Sequence, residues 1–389
     1  MSELVTFDGA PPDGTINFGV GQPSADLMPL ELVAEASETF FKNAQSIELN
    51  YGVKLGDPRF LQSLADFLQA GYHTAVESEE LFVTGGNSQA LDLVSSVFAK
   101  PGDTVFVEEP SYFLAFKIFR DHDLNIVSIP MDEDGLLIEE LKLALGKHRP
   151  AFLYTIPSFQ NPCGLCTSEE RRQQIVDLAR QHEFLIVADE VYQFLYYDHE
   201  PPPAYATMTD CGRVLSLGSF SKILAPGMRL GWIQTSPSLR KELAANGFVN
   251  SGGSINHISS LIVRQAMENN SLRAHMEKLR LAYASRVQAM EEALLLHFQD
   301  LASWTRPHGG YFFWLEFDKS VKTKPLRKKA QELNTGFQPG PLFTPNGGLD
   351  NCLRLSFAHY PEKDIHEGIA RLRKLFYNRP RQRGKQTRE

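Results

Sequence analysis

Between residues 151 and 188 the chain runs apolar segment, helix, apolar segment, and that order most constrains what it can fold into. Ala151 to Ile156 and Phe184 to Ala188 are β-rich and apolar without alternation, the pattern of strands covered on both faces. Between them Thr167-Ser-Glu-Glu170 has the spacing of a capping box. Ile175, Val176, Leu178 and Ala179 then recur on one face of a helix reaching about His182. Strand, helix and strand in that order make a βαβ unit. Its strands pair in parallel with the helix crossing one face, which requires an α/β sheet.

Thr104 to Val107 and Arg213 to Leu217 fit the same sheet. Asp57-Pro58 predicts an N-cap and a proline at the first position of a helix running to about Ala70. From about Ile258 to Leu296 there is neither proline nor glycine, so extended helices are expected. Beyond it Gly309 to Phe317 and Cys352 to Phe357 read as strands, and Glu362 to Phe376 as a closing amphipathic helix. The change of pattern predicts a large domain over 47–289 and a smaller one built from 1–46 and 290–376. With 389 residues, 42% of them hydrophobic, the chain can bury cores for both.

Within these elements seven segments carry chemistry. Ser219-Phe-Ser-Lys222 leads to Arg229 through a glycine-containing stretch. A lysine amine kept neutral attacks carbonyls and forms Schiff bases, as with pyridoxal phosphate, while hydroxyls and a guanidinium fork suit a phosphate monoester. Gly85-Gly86-Asn87-Ser88 follows the apolar Leu81-Phe82-Val83 and opens a helix-like segment to Ala99. Such a turn offers free N–H groups to an anion, although Asn87 also suits a simple N-cap. Asp189 ends the Phe184 to Ala188 strand, where open α/β sheets bind ligands, and Tyr192 stands three residues on. Asn161 sits in a turn shaped by Pro162 and Gly164, and Tyr112 follows Glu108-Glu109-Pro110 after another strand. Arg354 alternates with Leu353 and Leu355, which fits either an edge-strand charge or a fork for a carboxylate. Phe18-Gly-Val-Gly21-Gln-Pro23 permits close backbone approach but also suits an ordinary loop.

Taken together, these segments resemble those of fold-type-I, pyridoxal-phosphate-dependent aminotransferases of class I/II, the aspartate aminotransferase superfamily. The resemblance runs from about Ile16 to about Phe376 and is nearest the 2-aminoadipate, lysine and aromatic aminotransferase branch. It implies a large domain with a mostly parallel seven-stranded sheet sandwiched by helices, plus a smaller α+β domain. It implies catalytic roles for Lys222, Asp189 and Tyr192. Lys222 carries the cofactor as a Schiff base and, once freed, moves the proton at the substrate Cα. Asp189 pairs with the ring nitrogen, and Tyr192 and Asn161 hydrogen-bond the phenolic oxygen. Tyr112 stacks on the ring. Asn87 and Ser88, through main-chain and side-chain donors, hold the phosphate together with Ser219, Ser221 and Arg229. Tyr51, in Asn50-Tyr51-Gly52, reaches the phosphate of the neighbouring subunit, which makes a homodimer with shared sites the working form. Arg354 grips the substrate α-carboxylate, helped by Asn161, and the Gly21 segment closes over it. Cys163 stands where the family usually has a small hydroxyl residue, a change expected to matter little.

The function implied is ping-pong transfer of an amino group between an amino acid and a 2-oxo acid. The donor is 2-aminoadipate-like or aromatic, and the acceptor 2-oxoglutarate. A carbon–sulfur lyase or decarboxylase would use the same lysine and aspartate. A ligand-sensing regulator domain would need a DNA-binding module, and only about fifteen residues precede the matched region.

The net charge of −8 argues against a nucleic-acid or anionic-membrane surface. No 18-residue apolar span occurs, and Met1-Ser2-Glu3-Leu4 lacks the features of a secretory leader, so a cytoplasmic location is expected. Arg379, Arg381, Arg383, Lys385 and Arg388 read as a basic, disordered tail over 377–389. Cys163-Gly-Leu-Cys166 has redox or zinc-half-site spacing but no second pair, so a structural role is expected and no metal.

Overall fold

The computed structural model describes residues 14–376. The expected basic tail and the first four residues lie outside that range. The main sheet runs in the order Leu81–Thr84, Gly231–Thr235, Val214–Ser219, Leu185–Asp189, Pro150–Thr155, Thr104–Glu109 and Asn125–Asp132, with the two-residue Gly135–Leu136 folded back on its edge. Gly231–Thr235 pairs antiparallel with both its neighbours, and the other long strands run in one direction.

The apolar, non-alternating runs are explained by burial on both faces. Phe152, Tyr154 and Val187 belong to one apolar cluster, while Leu153, Ile186 and Ala188 between them belong to a second on the opposite face. The predicted crossover helix is Glu169–His182, and its Ile175, Val176, Leu178 and Ala179 are buried in that second cluster. Its cap is one residue later than the sequence suggests. The Ser168 hydroxyl, not that of Thr167, accepts from the Arg171 N–H. Asp57 does cap Pro58–Tyr72, accepting from the N–H groups of Arg59 and Phe60.

The extended helical region consists of two helices, His257–Glu268 and Ser271–Phe298. They part at Asn270, whose φ of 62° is left-handed; asparagine tolerates that conformation better than most side chains. The division at about residue 290 drawn from the sequence falls inside the second, unbroken helix. The remaining strands form a four-stranded antiparallel sheet in the order Ala302–Ser303, Phe312–Phe317, Cys352–Ser356, Gln338–Pro339. The helix Glu362–Arg373 packs against Ser271–Phe298. Ile16–Asn17 pairs with Thr335–Gly336, so the N-terminal segment joins the C-terminal part. Among the described residues no helix is long and apolar enough to cross a membrane.

One packing detail ties the sheet to the lysine segment. Gly218 lies opposite Trp232, and a Cβ at 218 would come within 2.0 Å of the indole ring. Only glycine lets the fully buried Trp232 lie flat against the strand that delivers Ser219 and Lys222.

Candidate active site

The parallel strands deliver their functional groups at one edge of the sheet, the C-terminal edge at which such sheets bind ligands. Asp189 is the last residue of its strand and Ser219 the last of the next. Asn161 follows Pro150–Thr155, and Tyr112 follows Thr104–Glu109 to cap the helix Phe113–Asp121. Cys352–Ser356 brings Arg354 to the same place from the antiparallel sheet: Arg354 Nη1 donates to Asn161 Oδ1 at 2.9 Å.

Lys222 stands among these groups. Its Nζ donates to the Gly21 carbonyl at 3.2 Å and lies 5.2 Å from the centre of the Tyr311 ring. Burial lowers the amine to about 8, the Arg354 and Arg229 charges act in the same direction, and Asp189 opposes them. A lysine so placed is about one-tenth neutral at pH 7, far more than an ordinary lysine, and the neutral form is what attacks a carbonyl.

Asp189 and Arg354 are oppositely charged, buried, and without an ion-pair partner within 4 Å among the described residues. Asp189 Oδ1 accepts from Asn87 Nδ2 at 2.7 Å and Oδ2 from the Tyr154 hydroxyl at 2.8 Å. Burial raises this carboxyl, against the lowering effect of those two donors. The Arg354 guanidinium is pushed down to about 10 by burial. It lies 4.1 Å from the centre of the Phe312 ring and 5.2 Å from that of Phe343, and Nη2 donates to the Gly19 carbonyl at 3.0 Å. Its Nε is buried without a partner. An unneutralised buried charge is costly, so each of these two groups is suited to a ligand of opposite sign.

Tyr192 packs edge-on against Tyr311 and Phe312, and burial drives its phenol above the usual range. Burial, followed by the charge of Asp189, pushes Tyr112 up to about 12. Both are therefore hydrogen-bond donors at any working pH.

The glycine turn meets Arg229. Gly86, at φ 87°, is the N-cap of the helix Asn87–Phe98, so the cap falls on Gly86 and Asn87 is the first helical residue. A Cβ at 86 would sit 3.0 Å from Arg229 Nη2, a group that donates to the Gly85 carbonyl at 2.9 Å. Arg229 itself takes φ 48°, a conformation few non-glycine residues adopt and one that clusters at functional sites. The Ser219 hydroxyl donates to that of Ser221 at 2.9 Å, and Ser88 is exposed on the first helical turn. Thr84 and Ser219 both pair with Gly231, so the helix N-terminus, the Arg229 guanidinium and the serine segment lie at the same edge of the sheet, groups of the kind that bind phosphate. One sequence expectation changes here. The Asn87 side chain is turned inward to Asp189 and to the Leu217 carbonyl, because both lie beneath the turn; its main-chain N–H is what remains for an anion.

Tyr51 is not part of this constellation. It is 74% exposed, on an outer segment with Ile47, Leu49 and Val53. Cys166 Sγ accepts from the Phe159 N–H, and burial pushes the thiols of Cys163 and Cys166 up, which makes them poor nucleophiles. Tyr154, Tyr311, Phe312 and Phe343 were not singled out from the sequence. Each sits in an apolar context that reads as ordinary core.

Comparison with known proteins agrees with this geometry. The family described as aminotransferase class I and II matches residues 13–372. Aromatic-amino-acid aminotransferase 1 of Thermococcus litoralis is 35% identical over 92% of this chain and 87% of its own length. The multiple substrate aminotransferase of Thermococcus profundus superposes with a TM-score of 0.87 at 31% identity, covering 93% of this chain and 91% of that one. LysN, the alpha-aminoadipate aminotransferase of Thermus thermophilus, solved with N-(5'-phosphopyridoxyl)-L-leucine, superposes with a TM-score of 0.85 at 32% identity over 93% and 92% of the two chains. The chain belongs to the class I and II aminotransferase family. It is an enzyme of that family's kind, a transferase of amino groups.

Proposed function

We propose that the site binds pyridoxal 5'-phosphate and passes an amino group from an amino acid to a 2-oxo acid in two half-reactions. The observation that carries this reading is a buried lysine, its amine lowered to about 8, set in the field of a buried carboxylate and a buried guanidinium, neither with an ion-pair partner among the described residues. The residues fit the cofactor. Asp189 offers a carboxylate to a protonated ring nitrogen, and the turn at Gly86 with Arg229, Ser219, Ser221 and Ser88 offers donors to the phosphate. When bound, the cofactor supplies a carbonyl for the amino nitrogen and a ring that accepts the electrons released at the substrate Cα.

The protein does the rest by holding and moving groups. Arg354, already oriented by Asn161 and stacked on Phe312, binds the α-carboxylate through its planar fork. Asn161 accepts from Arg354 through Oδ1, which turns Nδ2 the other way as a donor toward the cofactor. Tyr192 donates from the wall formed by Tyr311 and Phe312. The Lys222 amine would take the proton from the substrate Cα and return it to the cofactor carbon on the far side of the amino nitrogen, two atoms away. Gly21, whose carbonyl meets the Lys222 amine, belongs to the segment that closes over the substrate.

The donor has a large side chain, aromatic or 2-aminoadipate-like, and 2-oxoglutarate serves as acceptor. The names of the relatives support this, as do the Phe312 and Phe343 rings beside Arg354. The working form is a homodimer. Ile47, Leu49, Val53 and Phe248 are large apolar side chains more than half exposed, which supports a subunit contact here, and Tyr51, 74% exposed on the same segment, would reach a neighbour's site across it.

The test is to load the protein with cofactor and add single amino acids without any oxo acid. The reading expects stoichiometric release of the matching 2-oxo acid, one per site, fastest with aromatic or 2-aminoadipate donors. Release of pyruvate and ammonia, or of carbon dioxide, would contradict transamination.

A further inference from the structure

Tyr154 is fully buried in the middle of the sheet, on Pro150–Thr155, and the mechanism above makes no use of it. That strand pairs with Leu185–Asp189, with Tyr154 in register with Val187. The side chain therefore reaches along the sheet toward the strand end, and its hydroxyl donates to Asp189 Oδ2 at 2.8 Å. The ring is wedged edge-on against Phe119, 5.5 Å between centroids, so the hydroxyl has little freedom to leave. Asn87 holds the other oxygen from a different element and is itself fixed by the Leu217 carbonyl at 3.2 Å. The plane of the carboxylate is thus set from two sides.

We propose that Tyr154 is a positioning residue which, acting through Asp189, keeps the proton on the ring nitrogen of the bound cofactor. This rests on the pyridoxal phosphate reading above. A buried carboxylate facing a pyridinium can take its proton and leave two neutral groups, an exchange that burial favours. A hydroxyl donating to the carboxylate stabilises its charged form and works against the transfer. Tyr154 is suited to this because burial, and then the charge of Asp189, holds its phenol well above the usual range. It keeps its proton, and so remains a donor to Asp189, at any working pH.

The test uses cofactor labelled with 15N in the ring, bound to the full-length protein, with the nitrogen shift followed against pH. For Tyr154→Phe, which keeps the ring and its packing, the midpoint at which the nitrogen loses its proton falls by about one pH unit or more, the loss of a charge-assisted hydrogen bond. In the same variant kcat falls while KM for the amino acid holds, since Arg354 is untouched. An unchanged midpoint in a variant that binds cofactor overturns the proposal. If Tyr154→Phe yields no folded protein, 3-fluorotyrosine at 154, a stronger donor, is measured instead. The midpoint then rises, and an unchanged or lowered value overturns the proposal. Failure of the unaltered protein to take up cofactor would instead count against the pyridoxal phosphate reading itself.

Discussion

At Lys222 the chemistry depends on a free amine, and burial brings its midpoint from 10.5 to about 8. The amine is therefore protonated below that pH and neutral above it. Capture of pyridoxal phosphate by the cofactor-free protein should accelerate with rising pH up to about 8 and then level off, as stopped-flow absorbance would show. A rate still climbing steeply beyond about pH 10, the range of an unperturbed lysine, would place the amine in water. Lys222→Ala removes the proton carrier, and this alone should lower turnover by at least about 100-fold while the cofactor still binds. Arg354→Lys keeps the charge but loses the planar fork. The charge-assisted bond lost is about 1.5–3 kcal/mol, so kcat/KM for the amino acid should fall about 10- to 100-fold in steady-state assays.

At the level of elements, Asp57 shows how local chemistry fixes a boundary. Its carboxylate caps Pro58–Tyr72, and Asp57→Ala should cost about 1 kcal/mol in chemical denaturation. That cap, the crossover helix and the buried strands were legible because each leaves a local mark: an acceptor before proline, an apolar stripe, a run without alternation. The break at Asn270 was not, because asparagine is also tolerated within helices and only its φ of 62° reveals the turn. The cap at Ser168 was misplaced by one residue because adjacent Thr167 and Ser168 both offer a hydroxyl. In the candidate site, Lys222, Asp189 and Arg354 could be singled out because charged groups in apolar strands and glycine turns need a reason, and the structure brings the three together. Tyr154 gave no such signal, since a tyrosine in a buried strand looks like packing until the strand beside it ends in a carboxylate. The inward turn of Asn87 depends on Leu217 and Asp189 lying beneath it, a contact between residues more than a hundred positions apart.

For the whole molecule, the antiparallel sheet brings Arg354 across to groups set by the main sheet, while the outer segment with Tyr51 would add to a site only through the homodimer proposed above. Sedimentation should give a dimer. Tyr51→Phe should weaken cofactor binding by about tenfold or more, the value of a hydrogen bond to a charged group, without altering the dimer. A monomer with full cofactor affinity would remove Tyr51 from the site. The proposed chemistry depends above all on Lys222 being the residue that holds the cofactor. The direct test is to reduce the cofactor-loaded protein with borohydride, digest it and locate the modified peptide by mass spectrometry. A single phosphopyridoxyl group on Lys222, absent in Lys222→Ala, is the expected result. A modification at another lysine, or none in protein that has bound the cofactor, would contradict it.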